Sequence, residues 1–380
     1  VADSQCKKTC HLLLSTFRHS SFPICHFFIP LRFLGTFLLA SLILIACSSP
    51  SISVTPTASA TSAPAATVEA TATPPTSVRV AYISPSAKTD SVQATVERAA
   101  QDFGWKAIET QDAAPDSIRA LAQSGVAVIV AENADLSALA REFPSVYFIS
   151  VQQKSGEAAP ANLLALGGSS SRADQAGFIA GAVAGFATQT QTVTVIGDPN
   201  SIEGRNYRNG FLHGVRYTCP KCRVLNIDVM DLNDGAEPSA TAAKYVILDS
   251  DVFFAAAGEA GDQALVAAAQ AGAWVIGSGG DVYQTRFGGG ASAGAEKVLT
   301  SVYFDPGAAV YQALAAFHAG QPLTSAQPFS AANGAIHLAP YRDPQGVLST
   351  LDQRDIATAL AQLADGSLDT GIDPATGEER

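Results

Sequence analysis

Val252-Phe253-Phe254-Ala255-Ala256-Ala257 is an unbroken apolar run of strand length. Gly258-Glu259-Ala260-Gly261-Asp262 follows at once and opens a helical stretch, after which Trp274-Val275-Ile276-Gly277 begins the next apolar run. Strands buried on both faces read as continuous apolar runs, and strands alternating with helices build parallel sheets. The alternation extends both ways along the chain, with further strand-length runs at Val78 to Ser84, Trp105 to Glu109, Val126 to Ala131, Val146 to Val151, Thr192 to Gly197, Val224 to Val229 and Val298 to Phe304. The clearest helix spans Pro306 to Ala319. Asp305 stands at its N-cap and Pro306 at its first position, Val310, Ala313, Leu314 and Phe317 share one face, and Gly320 ends it. About four strand–helix units precede residue 190 and four follow it. The expected fold is therefore α/β, two doubly wound parallel-sheet lobes with a cleft between them.

The chain has 380 residues, 47% of them hydrophobic, and a formal net charge of −11. An acidic chain without a run of basic residues is not built to hold nucleic-acid phosphates. The charge is unevenly spread: Lys7, Lys8, Arg18 and Arg32 against Asp3 put residues 1–46 at +3, leaving −14 for the remainder. Fourteen uncharged residues, Phe33 to Ala46, lead to Cys47. That is shorter than the roughly 20 residues of a membrane span but suits the apolar core of a signal peptide. Leu44-Ile45-Ala46-Cys47 resembles the lipobox of bacterial lipoproteins, which implies cleavage before Cys47 and a lipid on its thiol.

Residues 48–77 contain 7 Ser, 7 Thr, 5 Pro and 7 Ala, with Glu69 as the only charge. Such a segment buries too little to offset its ordering entropy and reads as a tether. The expected organisation is residues 1–46 signal peptide, 47–77 lipidated Cys and linker, 78–196 first lobe, 197–305 second lobe, 306–372 a segment completing both lobes, and 373–380 a tail. Met230 is the only methionine. Translation is accordingly expected to begin near Leu31 from a non-standard codon, with residues 1–30 outside the translated protein. Delipidated protein should then have the intact mass of a chain starting at Cys47, and a mature chain starting at Val1 would refute both readings.

Motifs of catalysis are sparse. Gly-x4-Gly-Lys-Ser/Thr, His-Glu-x-x-His and Gly-x-Gly-x-x-Gly do not occur. Gly290-Ala291-Ser292-Ala293-Gly294 has the spacing of a nucleophile elbow but follows Gly288-Gly289 where a strand is required, and reads as a glycine-rich loop. No enzyme, cofactor or metal site is expected. Cys219-Pro220-Lys221-Cys222 could be a structural disulfide, a redox pair or half a zinc site. Export favours the disulfide, since His213 alone is too few further ligands for zinc, and the pair follows a helical stretch where a redox motif would open one.

In open parallel sheets ligands bind beyond the carboxyl ends of strands. The residues there are short and polar or glycine-rich: Ser84, Thr89 and Asp90 after the first run, Asn133 after the third, Gly258 and Glu259 before a helix, Asp281 in Gly277-Ser278-Gly279-Gly280-Asp281, and Phe304 at the end of its run. Small donors, a few carboxylates and aromatics along one edge suit a small polar, hydroxylated or heterocyclic ligand. Asp198-Pro199-Asn200 is expected to belong to the hinge.

Four segments carry a family resemblance. Gln175-Ala176-Gly177-Phe178-Ile179-Ala180-Gly181, Gly210-Phe211-Leu212-His213-Gly214-Val215, Ala256-Ala257-Gly258-Glu259-Ala260-Gly261 and Val298-Leu299-Thr300-Ser301-Val302 stand in the order found in the basic membrane protein family, and Ala335 to about Gly371 is similar to that family's C-terminal strand and helix. The resemblance implies a type I periplasmic-binding fold and a nucleoside-binding lipoprotein of an ABC importer, with Phe178 added to the candidate ligand contacts. The chain departs from the family at ligand-facing positions. Ser86 to Ser91 lacks the family's Phe and Asn, Asp281 is the only survivor of a pair of Asp residues, and Phe304 stands where the family has Lys. These changes make the cleft less charged, and Phe304 could stack on a heterocycle.

The resulting expectation is a monomeric, lipid-anchored extracytoplasmic protein. It binds a nucleoside-like solute by lobe closure, with no covalent step, and partners a permease. The alternatives are a sensor that signals to a membrane receptor without transport and, less favoured, a secreted hydrolase depending on Ser292.

Overall fold

A computed structural model describes residues 77–83, 91–152, 160–167, 171–343 and 345–380. The expected signal segment, Cys47, nearly all of the expected linker and the candidates Ser84, Thr89 and Asp90 lie outside the described residues. The first stretch of the body runs β1 (Arg79–Ile83), α1 (Ser91–Phe103), β2 (Lys106–Thr110), α2 (Pro115–Gln123), β3 (Val128–Glu132), α3 (Ser137–Glu142), β4 (Tyr147–Val151) and β5 (Leu163–Leu166). The second runs α4 (Ala173–Ala187), β6 (Thr192–Gly197), α5 (Ile202–Thr218), β7 (Arg223–Asp228), α6 (Ala236–Ile247), β8 (Val252–Ala256), α7 (Gly258–Gln270), β9 (Trp274–Gly277), α8 (Val282–Thr285) and β10 (Val298–Phe304). The chain finishes with α9 (Pro306–His318), β11 (Ser325–Gln327), β12 (Ile336–Leu338) and α10 (Thr350–Asp365).

These strands form two six-stranded sheets, ordered β11-β5-β4-β3-β1-β2 and β12-β10-β9-β8-β6-β7. Every pairing is parallel except β10 with β12. The apolar runs occupy the central strands: all five residues of β4 and all four of β5 and β9 are buried. The edge strands β2 and β7 are mostly solvent-accessible and carry Lys106, Glu109, Arg223 and Asp228. Charged edges of this kind discourage pairing with another chain.

The two lobes are not consecutive in sequence. Helix α9 buries Ala309, Val310, Ala313 and Leu314 with Val92, Val96, Ala99 and Ala100 of α1 in the first lobe. Helix α10 buries Ile356, Ala359 and Leu363 with α4 in the second. The chain therefore crosses three times: between β5 and α4, at Phe304-Asp305 between β10 and α9, and between β11 and β12. The expected boundary between residues 196 and 197 is displaced, because β6 pairs with β7 and β8 throughout its length. Asp198-Pro199-Asn200 is thus a loop within the second lobe and does not belong to the hinge.

The crossings are tied together. Arg172 N–H donates to Phe329 O (2.8 Å), Gly167 N–H to Gln327 O (2.9 Å) and Asp305 N–H to Ala335 O (2.7 Å). The buried Gln175 side chain accepts from Ala331 N–H (3.0 Å), linking α4 to the third crossing. Because β5 and β10 both enter crossings at their carboxyl ends, those edges of the two sheets adjoin the hinge and border the cleft.

Helices α4 and α5 pack backbone to backbone. A Cβ on Gly181 would collide with the carbonyl of Phe211, and one on Gly214 with that of Phe178. Glycine is needed here for close approach, since both residues sit in regular helix.

Cys219, at the C-cap of α5, is joined to Cys222 by a disulfide with Cα atoms 5.4 Å apart. So short a loop removes little unfolded-state entropy. Replacing both cysteines by Ala should lower unfolding free energy in urea by roughly 2 kcal/mol and leave the far-UV spectrum unchanged. Complete loss of folding would contradict that modest role.

Candidate functional site

A cavity of about 220 Å³ opens at the carboxyl ends of β6, β8 and β9. Asp198, Ser201, Glu203, Gly204 and Tyr207 line one side, and Leu232, Ala256, Ala257, Gly258, Ser278 and Gly279 the other. Each group is placed by a local device. Asp198 directly follows β6, and its Oδ1 accepts from Asn200 N–H at 2.8 Å. Ser201 caps α5 by accepting from Gly204 N–H at 3.0 Å, which brings the positive end of a long helix to the cavity. Gly258 turns β8 into α7 at φ 55°, a conformation open to glycine without strain.

The electrostatics are acidic and partly desolvated. Burial raises the Glu203 carboxyl above the ordinary glutamate range. Burial, and then the charge of Glu203, push the buried Tyr207 phenol well above its usual value, so it is a neutral hydroxyl at any physiological pH. Two carboxylates, a phenol and two serines can hold a solute by hydrogen bonds.

The first lobe presents Asn133 at the corresponding edge. It is exposed, ends β3 at φ 52°, and donates its N–H to Val151 O at 2.9 Å. Gln152 ends β4 in the same left-handed region at φ 61°. Left-handed non-glycine residues are uncommon, and they concentrate where backbone is held for function.

The other candidates are dispersed. Phe178 is 3% exposed in the core of the second lobe, its ring 5.4 Å from Tyr217, so its motif describes helix packing and not ligand contact. Glu259 does not line the cavity; it accepts from Gln263 at 3.2 Å and pairs with Arg286 at 2.8 Å. Asp281 is the N-cap of α8, accepting from Tyr283 N–H (3.1 Å) and from Arg342 (2.8 Å). Phe304 is half-buried at a crossing, 6.1 Å from Phe329. Only Gly258 of the second-lobe candidates lines the cavity. Asp198, Ser201, Glu203, Tyr207 and Ser278 escaped notice as ligand contacts, although the rule that singles out residues after strand ends applies to Asp198 after β6 as it does to Gly258 after β8.

The molecule thus has two similarly wound lobes joined by three crossings, with a polar cavity at the strand ends of the second. Among solved structures, the chain is similar to an ABC transporter solute-binding protein from Conexibacter woesei (TM-score 0.54, 21% identity, covering 77% of this chain and 98% of that one). It is also similar to a transcriptional activator of the comK gene from Bacillus halodurans (TM-score 0.57, 17% identity, covering 77% and 99%). These likenesses establish the fold. No curated protein sequence matches the chain. Residues 81–356 match the Bmp family, described as ABC transporter substrate-binding protein PnrA-like, and the chain belongs to that family. Its members are substrate-binding proteins and not enzymes.

Proposed function

We propose that this Bmp-family protein is a lipid-anchored extracytoplasmic receptor that closes on a nucleoside-like solute and delivers it to an ABC permease. The observation that carries the reading is the strand-end cavity of the second lobe. Asp198 and Glu203 offer acceptors to ribose-like hydroxyls, Ser201 and Ser278 offer hydroxyls that donate or accept, and Tyr207 supplies an aromatic wall. Asn133 would contribute to the site from the first lobe. No helix among the described residues is long and apolar enough to cross a membrane. In this reading a lipid on Cys47 holds the protein at the membrane.

Thermal unfolding with adenosine, guanosine and inosine, beside sugars and amino acids, tests the ligand class. Binding to the native state alone stabilises by about 2.7 kcal/mol at one hundred times Kd. A purine nucleoside should raise the melting temperature by several degrees. A shift with a sugar or amino acid and none with a nucleoside would refute the ligand class while leaving the family intact.

A further inference from the structure

Residues 369–380, which follow α10, return along α5 on the side away from the strand-end cavity. Glu203, Gly204 and Tyr207 share the cavity face of that helix, and at 3.6 residues per turn Arg205, Asn206 and Asn209 fall on the other. Those three grip the returning segment. Arg205 Nε–H donates to Thr376 O (3.1 Å), Asn206 to Pro374 O (2.9 Å) and Asn209 to Gly377 O (2.6 Å). The segment is itself fixed as a clasp. Ile372 is fully buried, Arg380 pairs back to Asp369 at 2.8 Å, and the Thr370 hydroxyl donates at 2.6 Å to the buried Asp174, just past the first crossing.

The clasp meets α5 at the turn that builds the cavity. The close backbone contacts of α5 with α4 fall at Tyr207, Gly210, Phe211 and Gly214, all beyond the first turn. Ahead of them lies Gly377, at φ 80°, where a Cβ would stand 2.7 Å from Arg205 Cβ and 3.1 Å from Ile202 O. Arg205 also reaches the loop after β6. Besides Thr376 O and Glu378 (3.4 Å), its guanidinium donates through Nη1 to Pro199 O (3.3 Å) and Asn200 O (3.4 Å). That loop carries Asp198 and touches the first turn backbone to backbone, since a Cβ on Gly204 would fall on the Asp198 carbonyl. One side chain thus joins the clasp, the loop and the helix start, the pieces that carry Asp198, Ser201 and Glu203 into the cavity.

A rigid guanidinium with several donors is suited to bracing more than one carbonyl. Helix ends fray, and a turn that frays must be ordered again when a solute binds, at a cost in affinity. We propose that Arg205 and the clasp at residues 369–380 are positioning elements of the solute site, holding the first turn of α5 and the loop after β6 in binding geometry from outside the cavity. The proposal rests on the strand-end cavity being the solute site, and not on the solute being a nucleoside.

The test compares the full-length protein with Arg205→Ala on the helix, Gly377→Ala on the clasp and Arg216→Ala as control. Arg216 pairs with Glu379 near the far end of α5. Hydrogen–deuterium exchange without solute is read first. Arg205→Ala and Gly377→Ala should each exchange at least about tenfold faster over residues 203–208, with residues 211–218 at the wild-type rate. Calorimetry with inosine should show affinity at least about fivefold weaker in both. Arg216→Ala should change neither readout. A merely structural clasp would instead lower the melting temperature and speed exchange along all of α5, leaving the affinity of the folded protein unchanged. Wild-type exchange over residues 203–208 in both variants overturns the proposal, and so does wild-type affinity for inosine in both. If the wild-type protein does not bind inosine, the nucleoside reading fails and the exchange comparison alone decides the positioning role.

Discussion

Gly214→Leu should abolish folding of the second lobe. A Cβ at this position falls on the carbonyl of Phe178 and close to the backbone of Ala182, groups that cannot rotate aside. Overpacking of an ordinary core costs about 1–3 kcal/mol because side chains yield. Here two backbones are in contact, so α4 and α5 must separate, exposing Phe178, Phe211 and Val215, each 3% exposed or less. Burial of each such side chain is worth about 1.5–3 kcal/mol, and whole domains are stable by only about 5–15 kcal/mol. Soluble yield and the urea unfolding midpoint are the readouts. Gly197→Ala, whose added Cβ has no neighbour closer than 3.9 Å, provides the control and should fold. A folded Gly214→Leu protein with an unchanged midpoint would contradict the packing described.

Asp198→Ala should weaken the cleft ligand by about ten- to a hundredfold. One oxygen of Asp198 is engaged by Asn200 N–H, which orients the carboxylate, and the residue lines the cavity. Hydrogen bonds to a charged group contribute about 1.5–3 kcal/mol, which converts to that range of affinity. Glu259→Ala is the informative partner, because the sequence points to Glu259 and the structure ties it to Arg286 outside the cavity. Calorimetry with the solute that raises the melting temperature should show a large loss for Asp198→Ala and none for Glu259→Ala. The reverse ranking would restore Glu259 to the site and displace Asp198.

The difference between those two carboxylates shows what sequence alone conveys. Nine of the twelve strands among the described residues are legible because a run such as Val252–Ala256 is both apolar and long enough to register. Leu163–Leu166, Ser325–Gln327 and Ile336–Leu338 have four, three and three residues, too few for a periodicity to emerge. The crossings leave no compositional mark, so β6 is assigned to the wrong lobe and Asp198 to a hinge. Phe178 belongs to α4, in which 13 of 15 residues are buried. A helix apolar on all sides is an interior helix, and that pattern could have excluded Phe178 from the site. Glu259 and Asp281 do follow strands, but their side chains turn to Arg286 and Arg342, partners distant in sequence. Position relative to a strand end is legible in sequence, whereas side-chain engagement is a property of the packed molecule.

The central claim is that two lobes close on a solute held between their strand ends. Small-angle X-ray scattering of the protein with and without saturating purine nucleoside tests it directly. The account predicts a smaller radius of gyration in the bound state, with the change lost in Asp198→Ala at the same ligand concentration. An unchanged radius of gyration, under conditions where calorimetry shows the site filled, would contradict it.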